Sequence, residues 1–388
     1  MRVVVAPDKF KGSLTAPEVA GRIAAGLVAA VPEASVVQVP VADGGEGTLE
    51  AAEAAGFRRV PVRVAGPTGA PLDSSLAVRG RTAVIEMAAA SGLAVLPGGQ
   101  RAPLEATSLG TGQLVRAALD LKCTGVVLGI GGSACTDGGA GLLVALGARL
   151  LDADGHELPA GGGALRDLAQ VDLTGLDPRL ADTSFVLATD VDNPLLGVHG
   201  AAAVYGPQKG AAPADVAVLE QGLARWATVL DAALGQTGLD RVADQPGAGA
   251  AGGVGYAAMA ALGALRRPGI DVVLALTDFA AHVTGADLVV TGEGSLDAQT
   301  LHGKAPAGVA AAARAAGVPV VAVAGRCVLS ADELRAAGIE AAYALLDEEP
   351  DADRCMREAG PLLERLAQRI ARDRTAGRTP AGLKKGLS

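Results

Sequence analysis

Residues 124–147 read TGVVLGIGGSACTDGGAGLLVALG, and the fold is decided here first. Val126-Val127-Leu128 is a short β-branched run of the length of a buried strand. Gly129, Gly131, Gly132, Ser133, Asp137, Gly138, Gly139 and Gly141 follow, and the apolar segment Leu142–Leu151 reads as a helix. Strand, glycine-rich turn and helix bring bare N–H groups and a helix N-terminus to bear on one small anion. Asp137 opposes plain anion binding, because its charge repels a phosphate. It suits a site that also uses a divalent cation or moves a proton. The stretch points to phosphate handling.

Outward from it, the 388 residues, 50% of them hydrophobic, suffice for two domains with their own cores. Aromatics at 2% leave few platforms for stacking bases, and a net charge of −9 gives no general attraction to nucleic acid. Cys123, Cys135, Cys327 and Cys355 form no CxxC pair and read as buried thiols of a reducing compartment. The chain enters a strand at once, without the pattern of a signal peptide, and has no long uncharged apolar run. The expectation is a soluble, cytoplasmic protein that binds neither membrane nor nucleic acid, with a homo-oligomer left open.

The chain ends alternate strand and helix. Arg2–Ala6 is a strand that runs through Pro7 into Asp8, Lys9, Phe10, Lys11, Gly12 and Ser13, after which Thr15 caps a helix reaching Ala30. Val36–Val41 is a second strand, ending in Asp43, Gly44, Gly45, Glu46 and Gly47. Carboxylates among glycines at such a junction allow close backbone approach and can hold a metal or a hydroxyl. Leu288–Thr291 ends in Gly292-Glu293-Gly294-Ser295-Leu296-Asp297, and strands 318–324 and 341–346 alternate with helices 306–316, 331–337 and 356–371. The middle differs: 60–64, 75–78 and 83–87 are short strands with turn signals, as in antiparallel hairpins. Residues 1–59 and 270–388 therefore read as one doubly wound α/β domain. Residues 60–269 read as an inserted second α/β domain with antiparallel strands, and 105–147 fits either. The tail past Arg372, with Gly377, Pro380, Lys384 and Lys385, reads as frayed.

Acidic-glycine loops at strand ends (Asp43 and Glu46, Asp137, Glu293 and Asp297) recur with lysines in comparable loops: Lys9, Lys11, Lys209 and Lys304. Glycine backbones and lysines hold phosphates, carboxylates hold Mg²⁺, and one carboxylate can orient an attacking hydroxyl. Neither the P-loop pattern nor the protein-kinase signatures occur, and His156, His199, His282 and His302 fit no hydrolase triad. The G-x-G-x-x-G at Gly247, Gly249 and Gly252 follows no strand, and the looser match at Gly129, Gly131 and Ala134 lies too far from its helix. Both are weak as dinucleotide fingerprints. A nicotinamide-dependent oxidoreductase and a non-catalytic small-acid-binding protein stand as alternatives to phosphoryl transfer.

Eight blocks sharpen this reading: APDKFKGSL (6–14), ADGGEGT (42–48), TSLGTGQL (107–114), GIGGSACTDGGAG (129–141), DVDNPLLG (190–197), GPQKGA (206–211), PGAGAAGG (246–253) and TGEGSLDAQT (291–300). Together they resemble the type I glycerate kinases over nearly the whole chain and in the family's order. Cys135-Thr136 departs from the Thr-Asn common there. The resemblance implies ATP-dependent phosphorylation of D-glycerate, usually at the 2-hydroxyl, with Mg²⁺. It also implies a flavodoxin-like domain of permuted topology beside a second α/β domain, with the site between them. Lys9 and Lys11 are the candidates for the carboxylate of glycerate. Asp190, at the end of the strand 185–189, is the first candidate base, with Asp43 and Asp297 as rivals that could instead hold the metal. The candidate binding set is Ser13, Gly44, Gly45, Glu46, Thr111, Gly131, Gly132, Ser133, Asp137, Asn193, Lys209 and Glu293, with Asp297 and Glu293 as candidate metal ligands.

Overall fold

The computed structural model describes residues 1–236 and 241–376. The tail residues Gly377, Pro380, Lys384 and Lys385 lie outside them. The chain is mixed α/β and divides into two compact units. One comprises 1–43, 50–56 and the described chain from Pro268 on; the other comprises 44–49 and 57–267. The segment 105–147 belongs to the second.

The first unit is built on five parallel strands in the spatial order Ala341–Ala344, Val320–Cys327, Leu288–Leu296, Arg2–Pro7, Ser35–Gln38. Counted within the unit this is 2-1-3-4-5, and the strand order, not the strand direction, reverses between Arg2–Pro7 and Leu288–Leu296. Alternation along the first strand supplies two cores. Val3 and Val5 face the helices Ala16–Ala30 and Ala359–Thr375, whereas Val4 and Ala6 face Gly269–Leu276 and Ala305–Ala315. The first helix starts as read, with Thr15 and Glu18 forming a reciprocal capping box.

The second unit holds a six-stranded mixed sheet. Leu265–Arg267, Ser184–Ala188, Gly125–Gly129 and Thr82–Glu86 run parallel, and Pro71–Arg79 and Arg58–Ala65 continue it antiparallel, as the hairpin reading expects. Leu142–Leu151 is not one helix. The helix is Ala140–Ala145, and Arg149–Leu151 is a strand paired with Gln170–Asp172. Gly147 forces the break: its φ is 112°, and a Cβ there would lie 2.0 Å from the Gly175 carbonyl oxygen. Leu265–Arg267 escapes sequence reading because three residues, two of them arginine, carry no strand pattern. No helix among the described residues is long and apolar enough to cross a membrane.

Candidate active site

In open α/β sheets ligands bind beyond the carboxyl ends of the strands, where the order reverses. In the first unit that point lies between Arg2–Pro7 and Leu288–Leu296, with Pro7 opposite Gly292. Asp8 emerges there, its N–H donating to the Gly292 carbonyl at 2.8 Å and its carboxylate buried. Burial above all raises its pKa to about 7. Lys9, whose Nζ is 3.8 Å away, works in the opposite direction, and the charges of Asp43 and Glu293 add to the rise. Glu293 is half-buried and also shifted upward, first by desolvation. The Thr300 hydroxyl at 2.5 Å and Lys304 oppose that shift, whereas Asp297 and Asp43 reinforce it. Asp8, Asp43 and Glu293 thus feel one another at the ends of three neighbouring chain segments. Asp297 lies at the margin, accepting from the Gln299 N–H and from Ser295 Oγ. Lys11 is exposed, and the Ser13 hydroxyl donates to the Met356 carbonyl at 2.7 Å.

The glycine turns of the second unit pack onto one another. A Cβ on Gly129 would stand 2.6 Å from the Gly44 oxygen, and one on Gly131 would stand 2.6 Å from Gly45 Cα. Only hydrogen fits at either position. Residues 44–49 are also held by Glu86, whose buried carboxylate accepts from the Gly47 and Leu49 N–H groups at 3.2 and 3.3 Å. Gly44 and Gly45 are buried, and Glu46 is exposed. Of the turn proper, Gly132 is exposed at a φ of 73°, Gly131 is half-buried and Ser133 is buried.

Asp137 stands beneath the turn, not at its surface. Its Oδ2 accepts from Ser108 N–H (2.7 Å), Ser108 Oγ (2.9 Å), Thr107 Oγ1 (3.2 Å) and Gly141 N–H (3.2 Å), and its Oδ1 from Gly139 N–H (3.1 Å). With 1% exposure and this set of donors, the carboxylate clamps TSLG to TDGG. Thr111 is buried and donates to Ser91 Oγ at 2.9 Å. Lys209 is buried too, its ammonium donating to the Cys135 carbonyl, and desolvation lowers its pKa. Asn193 spends both ends of its amide, donating to the His199 carbonyl and accepting from Tyr205 Oη. All four of these candidate binding residues make internal hydrogen bonds. Asp190 is exposed just past the strand Ser184–Ala188, and the loop after it is fastened by an Asp192–Arg266 ion pair.

The run at Gly247, Gly249 and Gly252 has a packing reason. Ala251, Gly252 and Gly253 turn left-handed in succession, and a Cβ on Gly252 would lie 2.2 Å from the Cys135 carbonyl oxygen. The hairpin turn at Asp152 is an ordinary one, its carboxylate accepting from the Asp154 and His156 N–H groups. Sequence reasoning did not single out Asp8 or Glu86. Asp8 alone carried a signal, as an acid at a strand end directly before Lys9.

Residues 3–375 match the glycerate kinase family. The chain is 46% identical to a glycerate kinase of Bacillus subtilis (strain 168) over 96% of its own length and 97% of that protein's. It belongs to the glycerate kinase family. It is 45% identical to a glycerate 2-kinase of Escherichia coli (strain K12), covering 98% of this chain and 100% of the other. Among solved structures it resembles a protein assigned as glycerate kinase 2 from Salmonella typhimurium LT2, with a TM-score of 0.85, 43% identity, and coverage of 97% and 99%. Family membership makes the chain an enzyme of the kinase class.

Proposed function

We propose that the chain phosphorylates D-glycerate with ATP, at the 2-hydroxyl, to give 2-phosphoglycerate. The carrying observation is the acid-lined switch point of the first unit, where Asp8, Asp43 and Glu293 gather, in a chain of the glycerate kinase family. The name of the Escherichia coli relative supports the 2-position. The strand order 2-1-3-4-5 supports a flavodoxin-like reading of the first unit, and that count needs no permutation.

Magnesium fits the donors. Asp8, Asp43 and Glu293 offer carboxylate oxygens alone, and burial above all, with carboxylate repulsion added, raises Asp8 and Glu293 despite Lys9 and Lys304. These residues, with Asp297 beside them, would hold Mg²⁺, which when bound neutralises charge on the transferring phosphoryl group. The backbone at Gly44-Gly45 and at Gly131-Gly132-Ser133, held close by glycine–glycine packing, would seat phosphate oxygens. Glu46, exposed on the same loop, would face the bound ligand. Lys9 and Lys11 would supply positive charge to the anionic substrates.

Asp190 would accept the hydroxyl proton. It lies two residues beyond Ala188, the register partner of Gly129, so base and phosphate-binding turn leave neighbouring strands at the same edge. Asp43 is the second candidate. The test is ³¹P NMR of the product formed from D-glycerate, Mg²⁺ and ATP, where a 2-phosphoglycerate signal is expected. A 3-phosphoglycerate signal would turn the acceptor around, and no phosphoester would reject the reading. Asp190→Asn should lower turnover by about 10²–10⁴-fold with ATP binding retained; a near-normal rate would pass the role to Asp43.

A further inference from the structure

We propose that Arg326 grips the carboxylate of the acceptor acid, an inference that rests on the glycerate-phosphorylating function above. Arg326 stands one residue from the end of the strand Val320–Cys327 and pairs in register with Ser295, as Ala324 pairs with Glu293. Side chains alternate along strands, so Glu293, Ser295, Ala324 and Arg326 share one face at the carboxyl edge of the sheet. Arg326 Nε donates to Ser295 Oγ at 2.8 Å, and that hydroxyl donates on to Asp297 Oδ2 at 3.4 Å. Anchored through Nε, the guanidinium keeps its plane. Its two terminal nitrogens have no other hydrogen bond or ion pair among the described residues, and the residue is exposed.

A planar fork with two donors matches a planar carboxylate, and such bidentate contacts are stronger and more selective than a point charge. The nearby lysines suit this task less well. Lys9 Nζ lies 3.8 Å from Asp8, Lys304 Nζ donates to Gln299, and Lys11 offers a compact ammonium on a flexible stem. A hydroxy acid held by its carboxylate on Arg326 lies beside the acid edge, with its hydroxyls directed away from the guanidinium.

The experiment compares D-glycerate with its neutral amide, glyceramide, as acceptors for the wild type, Arg326→Ala, Arg326→Lys and Ser295→Ala, each checked for its melting temperature. Arg326→Ala is expected to raise KM for glycerate about 10- to 100-fold. The rate with glyceramide and KM for ATP should stay within about threefold, so the preference for acid over amide collapses. Free guanidinium at millimolar concentration should restore part of the loss, Arg326→Lys should fall between, and Ser295→Ala should show a smaller rise in KM. Equal losses on acid and amide, a rise in KM for ATP alone, or no change in Arg326→Ala would overturn the assignment while leaving the kinase reading intact. A wild type inactive on glycerate would overturn both.

Discussion

Asp8→Asn should make the protein more stable while disabling it. Asp8 is buried, and its carboxyl is raised from 3.8 to about 7, chiefly by burial and against the pull of Lys9. The folded chain therefore binds a proton more tightly at this site than the unfolded chain does. Stability attributable to Asp8 is fully present below the unfolded value near 4. It falls as pH rises toward 7 and is level above that. The displacement spans about three pH units at about 1.4 kcal/mol each, so the upper bound is about 4 kcal/mol; relaxation and water entry bring the expected effect to about 1–3 kcal/mol. Asparagine keeps the shape without the charge. Urea unfolding with metal chelated should show the variant more stable than the wild type by that amount at pH 8, and by much less at pH 4. Adding Mg²⁺ at pH 8 should restore the wild type and do little for the variant, because a ligand stabilises only the folded state that binds it. A variant less stable than the wild type at pH 8, or a difference that does not change with pH, would refute the reasoning.

Other changes test the second unit. Asp137→Ala strips an acceptor from the buried donors of Thr107, Ser108, Gly139 and Gly141, and should cost roughly 3–5 kcal/mol in denaturant unfolding. Thr136→Val should be neutral or stabilising by about 0.5–2 kcal/mol in the same assay. Thr136 Oγ1 is buried and finds no hydrogen-bond partner among the described residues, so the change removes an unsatisfied polar atom at almost constant volume. Gly131→Ala, whose methyl would lie 2.6 Å from Gly45 Cα, should raise KM for ATP at least about tenfold while far-UV circular dichroism stays native. Gly26→Ala should lower stability by about 1–3 kcal/mol without changing KM, because its Cβ would meet the Glu364 carbonyl at 2.2 Å where two helices cross.

Much of the fold was legible because it depends on short-range pattern. Val3 to Ala6 reads as a strand because alternate residues feed two cores, and Thr15 reads as a helix start because its hydroxyl and Glu18 answer each other's N–H groups. The glycine turns read as close approaches because no other residue tolerates a neighbour at 2.6 Å. Illegible parts depended on partners far along the chain. Gly147 ends a helix because Gly175 packs on it, 28 residues away, and nothing near Leu142–Leu151 announces that. Asp137, Asn193, Thr111 and Lys209 stand out in sequence as polar residues beside glycines, but their internal partners do not. Their bonds to Ser108, His199, Ser91 and Cys135 exist only once distant segments meet.

The same distinction separates two kinds of acid in this chain. A carboxylate among glycines has two opposite uses, and sequence spacing does not tell them apart. Asp137 is buried with donors on both oxygens, so its charge is satisfied from within and it stiffens the turn. Asp8 and Glu293 are desolvated beside other carboxylates, and their lysine neighbours do not offset the cost of burial. Negative charge left desolvated in that way costs stability, and in the proposed function a bound cation would relieve that cost. Asp43 and Asp297, both in range of Glu293, add to that surplus. The proposed phosphorylation of a small acid would use both kinds: a rigid turn to seat phosphate, and an acidic edge that would gain from a bound metal.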